Sequence, residues 1–222
     1  MSPDRVRDLP VTARTRLRRK ADRGHFDWPT VSAILDEGLV CHFAFAPEGR
    51  PVVIPMAYGR IGRNLYVHGA VGNHALRSAA SGLDVCVTVT LLDALVLSRS
   101  AFHHSMNYRS VVVFGRAECV TDPDEQLQAL LAVVDHVAPG RSADARPPSA
   151  AELRTTTVLR LPITEASAKV RTGPPVEEPD DLALPYWGGE IPLRIVAGEP
   201  VADGQGAAVP VPGYAVSYQR PG

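Results

Sequence analysis

Between residues 85 and 117 the chain runs through VCVTVT, then LVLS, then NYRSVVVFGRA, and no helical segment intervenes. Val and Thr dominate these runs, and β-branched side chains favour the pleated strand. The connections are a short Asp93-Ala94 turn and the polar stretch His103 to Asn107, too short for a crossover helix. Successive strands must therefore pair antiparallel. The same grammar precedes and follows. Leu39 to Ala46, then 51–58 (PVVIPMAY), then Leu65 to His68 read as strands, the last two joined across GRIGRN as a hairpin. Residues 156–163 read as a last long strand. Six or seven strands with few, separated helices give a mainly β fold, and a closed or partly closed barrel would remove exposed edges from such a set.

Three helices have start and stop signals. Asp27 can cap a helix with Pro29 in its first turn and Val31, Ile34 and Leu35 at helical spacing, and Gly38 ends it. GNHALRSAA, 72–80, makes a short helix. Asp122, Pro123 and Glu125 start another, whose apolar face is Leu127, Leu130, Leu131 and Val134. Residues 1–24 form a basic arm, 25–193 the domain, and 194–222 an extended tail rich in Pro and Gly.

The formal net charge of −1 gives no general attraction to nucleic acid or to an anionic membrane. The arginine-rich arm lacks the aromatic residues that stack on bases, so nucleic acid is not its expected partner. Three cysteines, Cys41, Cys86 and Cys119, lie inside apolar segments and cannot all pair, which fits a reducing cytoplasm. The first residues are charged and arginine-rich with no apolar h-region, so no signal peptide is expected, and no apolar run approaches the ~20 residues of a membrane span.

The chemistry-bearing residues gather beside strands. His103 and His104 are adjacent and face opposite ways on extended backbone, so they share no metal. His68 ends a strand before Gly69, and His74 sits at a helix entry after Gly72, where backbone N–H groups suit an anion. Arg109, Lys169 and Arg171 lie in or beside strands, and a cation there needs a carboxylate or an anionic ligand. Lys169 and Arg171 alternate around Val170 and so face one side.

The order of GRPVVIPMAYGRIGRNLYVHGA, GNHALRSA, HHSMNYRSVVVFG, SAKVRTG and PYWGG resembles the flavin-nucleotide-binding branch of the pyridoxamine-phosphate-oxidase-like superfamily, near the nitroimidazole-resistance reductases. The resemblance covers about residues 14–193. It implies a six-stranded antiparallel split β-barrel of Greek-key, FMN-binding type. It also implies a homodimer with one FMN in each of two interface clefts. FAD, a deazaflavin coenzyme and haem are the alternatives that relatives of this fold accept. By the same resemblance, backbone groups of Ile54, Pro55 and Met56 approach the isoalloxazine. Val67, His68, Gly69, Asn73 and His74 approach the ribityl chain and phosphate, and the strand Thr88-Val89-Thr90 passes near the ring edge. Tyr108, Arg109 and Ser110 close the site, with Lys169 and Arg171 beside it. Gly72-Asn73-His74 stands where the vitamin-B6 oxidases carry a Ser-Arg-Lys pattern, which argues against that activity.

The expected function is that of a flavin-dependent oxidoreductase passing hydride to a small planar acceptor such as a nitro-aromatic, with His68 as proton donor or substrate contact. The alternative is a flavin or haem carrier, or a redox sensor, without turnover.

Overall fold

The structure, a computed structural model, describes residues 8–205 and 209–219. The first elements are β1 (Gly24–His25), α1 (Trp28–Glu37), β2 (Cys41–Phe45), β3 (Val52–Met56), β4 (Gly59–Ile61) and β5 (Asn64–Ala70). Then come α2 (His74–Ala80), β6 (Asp84–Leu97), β7 (Ser105–Arg116), β8 (Glu118–Cys119) and α3 (Pro123–Val137). The chain ends in α4 (Ala150–Arg154), β9 (Thr156–Pro162), β10 (Glu165–Arg171), β11 (Gly189–Pro192) and α5 (Gly213–Val216). None of these helices is long and apolar enough to cross a membrane.

Every strand pairing is antiparallel. One sheet runs β1-β10-β7-β6-β2-β3 with β11 also on β6, and a second runs β4-β5-β9-β8. The mainly β, helix-poor expectation holds. The expected six-stranded split barrel is met only in its antiparallel sheets: the described residues form eleven strands in two sheets, and the pairing closes neither one. Both sheets face one core. Val87, Val89, Val111 and Val113 from the large sheet meet Leu65, Val67, Leu159 and Leu161 from the small one. Full burial of each such valine contributes about 1.5–3 kcal/mol.

β6 explains much of the layout. The sequence suggests two strands with a turn at Asp93-Ala94; the structure has one strand of 14 residues. Val85, Val87, Val89 and Leu91 point inward, and a β-bulge between Leu92 and Ala94 shifts the alternation so that Ala94 and Val96 are buried next. A bulge absorbs one residue without ending the ladder.

α1 forms as expected, with the Asp27 carboxylate accepting from Thr30 N at 2.9 Å. Gly38 ends it for a different reason than a left-handed cap. Its φ is −67°, which any residue tolerates. A Cβ there would lie 2.2 Å from Val89 Cγ1 and 2.8 Å from Tyr58 Oη. α3 packs on the small sheet through Ala129 and Val133, with Leu130 partly buried, whereas Leu127 and Leu131 are half-buried and Val134 exposed. The buried stripe is rotated from the expected one because α3 closes on Gly59, whose Cβ would meet Val133 N at 2.7 Å.

Candidate functional site in a notch of the large sheet

One edge of β6 is shared by two short strands. β2 pairs with Val85 to Thr88, and β11 pairs with Ala94 to Leu97. Among the described residues no strand pairs with 89–93 on that edge, although β7 runs along the other. The gap is a groove of about 840 Å³ lined by Glu37, Gly38, Leu39 and Val40 after α1, by His42, by Thr90 to Asp93 and Arg109, and by Leu193 to Ile195. Its lining is largely apolar, with Glu37, Asp93 and Arg109 clustered at one end and Arg194 supplied separately by the tail. Such a mix of apolar wall and few polar groups is typical of ligand sites.

Arg109 holds that end together. Its Nη2 donates to Asp93 at 2.8 Å and to Glu37 at 2.8 Å, its Nε lies 3.1 Å from Asp93, and its Nη1 also bonds Glu37. The hydrogen bonds from Asp93 and then Glu37 push the guanidinium pKa up. Arg109 follows the inward alternation of Val111 and Val113, so it closes the end of the core and points away from the open face. Its donors are already committed to two carboxylates.

The opposite face of the large sheet carries a row of short polar side chains. Cross-strand partners lie side by side, so His42, Thr88, Val112 and Ser167 form one row and Thr90, Ser110 and Lys169 the next. Pro55 extends the first row beyond His42. Ile54 and Met56 turn the other way and pack against the core. Ser110 Oγ lies 3.4 Å from Lys169 O. Lys169 has no ion pair among the described residues. Tyr108 and Arg171 pair across the same face, but Arg171 is buried and donates to Asn107, to Gly173 O at 3.0 Å and to Pro174 O at 3.1 Å. Desolvation lowers its pKa. Asn107 in turn donates to Glu190 of β11. Arg171 therefore clamps the start of the C-terminal segment.

The small sheet holds the remaining expected residues. Val67 and Gly69 share its core-side face, and a Cβ on Gly69 would lie 2.6 Å from Leu76. Asn73 Oδ1 accepts from Leu76 N at 3.3 Å. His74 opens α2, and its side chain lies outside the described residues. His68 alternates with Tyr66 onto the other face, opposite Val158 and toward the cluster packed by α3. Its Nδ1 is buried with no hydrogen-bond partner among the described residues, and burial pushes its pKa down.

The structure thus brings Thr88, Ser110 and Lys169 together and places Tyr108 and Arg171 at their margin. It puts Arg109 behind them and His68 on a separate face. Glu37, His42, Asp93 and the tail residues Leu193 to Ile195 were not singled out from sequence, whereas Thr90 was expected near the ring edge with Thr88. The one signal for them was Asp93, a lone carboxylate inside a strand run that also has Arg109 on the next strand.

A family model for pyridoxamine 5'-phosphate oxidase matches residues 27–170. No curated protein matches. Among solved structures, the flavocytochrome Anf3 from Azotobacter vinelandii is 36% identical with a TM-score of 0.88, covering 96% of this chain and 100% of that one. The FAD and haem binding protein from Mycobacterium smegmatis is 33% identical with a TM-score of 0.82, covering 86% of this chain and 95% of that one. A protein described as a 5-nitroimidazole antibiotic resistance protein, from Bacteroides thetaiotaomicron, is 24% identical with a TM-score of 0.57, covering 66% of this chain and 86% of that one. This last likeness is one of fold alone.

Proposed function

We propose that this chain, which belongs to the pyridoxamine 5'-phosphate oxidase family, is a flavin-binding redox protein whose cofactor lies across the notch and the adjoining polar face. The observation that carries this reading is the continuity of the two: His42 and Thr90 belong both to the groove of about 840 Å³ and to the rows holding Thr88, Ser110 and Lys169. Leu39, Leu91 and Leu92 offer an apolar bed for a flat ring. The threonine and serine hydroxyls offer short donors and acceptors, and Lys169 offers a positive charge. The Arg109–Glu37–Asp93 cluster fixes the rim so that these groups keep their places. When bound, the isoalloxazine supplies the electron-transfer chemistry.

The occupant is FMN or FAD, and the acceptor a small planar molecule such as a nitro-aromatic. A second copy of the chain would cover the polar face, where Val53 is 59% exposed, and make the cleft a shared one. Gel-filtered protein should carry a flavin absorption spectrum, elute as a dimer, and be bleached anaerobically by a reduced nicotinamide. Colourless protein that ignores added FMN and FAD would sink the reading.

A second reading is favoured by His68. A half-buried imidazole with an unpartnered ring nitrogen and a lowered pKa is neutral at pH 7 and has a lone pair to offer. Haem iron takes such a ligand, and two relatives above 30% identity are a flavocytochrome and an FAD and haem binding protein. On this reading the chain carries flavin and haem together and moves electrons between them. A haem band that titrates in on adding haemin and is lost in His68→Ala supports it; an unchanged band in that variant removes His68 from the role.

A further inference from the structure

The C-terminal segment forms one wall of the groove. β11 pairs with β6 from Ala94 to Leu97, and Leu193 N donates to Asp93 O at 2.9 Å. Upstream, Glu177 accepts from Ser98 Oγ at 2.7 Å and from Arg99 N and Nη1 at 3.1 Å each. With the Arg171 clamp, these bonds fix the path of the chain from Gly173 to Leu193. The next residues, Arg194 and Ile195, line the groove together with Glu37 to Val40. The family model stops at residue 170, but the 96% coverage by Anf3 reaches into this segment.

Two arginines line the groove, and they differ in what holds them. Arg109 is bonded to Glu37 and Asp93. Arg194 is exposed and has no hydrogen bond or ion pair among the described residues. The groove's two carboxylates are the same Glu37 and Asp93, and Arg109 already offsets their field. An anion entering the groove therefore meets one uncommitted guanidinium in a lining that also carries Thr90 and His42.

We propose that Arg194 is the residue that takes a phosphate ester at this groove. A guanidinium presents two parallel N–H groups to two phosphate oxygens, and such charge-assisted bonds are the strong ones. The assignment rests on the flavin reading. The ester is that of the flavin nucleotide or that of a nicotinamide nucleotide donor, and the experiment separates them.

Full-length wild type, Arg194→Ala and Arg194→Lys would be titrated with riboflavin, FMN and FAD, following flavin fluorescence. They would then be titrated with NADH after flavin loading, following protein fluorescence. Arg194 is exposed, so all three proteins should melt together. With a flavin phosphate at Arg194, Arg194→Ala weakens FMN and FAD about tenfold or more and riboflavin by less than about twofold, and Arg194→Lys recovers most of the loss. With a nicotinamide phosphate there, flavin affinities hold and NADH weakens by a similar factor. Unchanged affinities for all four molecules overturn the assignment while leaving the flavin reading intact. A wild type that binds none of the four ends both.

Discussion

At the scale of single residues, Arg109 and His68 show how far composition of a site can be read before its contacts are known. A cation at the mouth of a core strand demands a partner, and the sequence makes that demand visible. The partners are not visible, because Asp93 and Glu37 lie 16 and 72 positions away and meet Arg109 only through the bulge and the end of α1. Arg109→Met should leave two carboxylates facing each other and lower stability by about 1–3 kcal/mol, less than a fully buried break because all three side chains retain some exposure. Urea denaturation checks this, and a loss of flavin with unchanged stability would contradict it. His68 predicts a pH dependence. Its folded pKa lies below the unfolded value near 6.5, so the unfolded chain binds the extra proton first. Stability contributed by the neutral ring is complete above that value and declines as pH falls toward the folded pKa. Melting temperatures of wild type and His68→Gln should therefore converge on acidification from pH 7.

At the scale of elements, boundaries follow from local signals and faces follow from neighbours. The Asp27 and Asp122 caps were legible because capping needs only residues a turn apart. The unity of β6 was not, since a bulge at Asp93 looks from sequence like a turn, and only the β7 partner, running through to Ser105, keeps the ladder going. The buried stripe of α3 was displaced for a similar reason: the helix comes close enough to β4 that Gly59 admits no side chain. Gly59→Ala should push backbone against backbone and destabilise by about 1–3 kcal/mol, the range of core overpacking. A denaturation midpoint equal to wild type would mean that α3 yields freely.

At the scale of the whole molecule, the mainly β class and the antiparallel pairing were legible from β-branched runs and short connections, whereas the number of strands was not, since β1, β4, β8 and β11 are too short to show a period. The split into two sheets was not, because periodicity records which side chains turn inward and not which strand lies beside which. The C-terminal segment was hardest: Pro and Gly mask a strand only four residues long, whose ladder partner is almost a hundred positions earlier. If the polar face of the large sheet is where two copies meet, Val53→Asp should shift sedimentation from dimer to monomer and release flavin; a dimer that persists with its flavin places the contact elsewhere. The notch also has a dynamic signature. Amides of β6 that lie between two strands should resist deuterium for far longer than those facing the gap at 89–93, which have water in place of one neighbour. A fourteen-rung ladder with rungs missing midway along one rail would then report its own occupant, through slowed exchange at the missing rungs when the guest seats itself there.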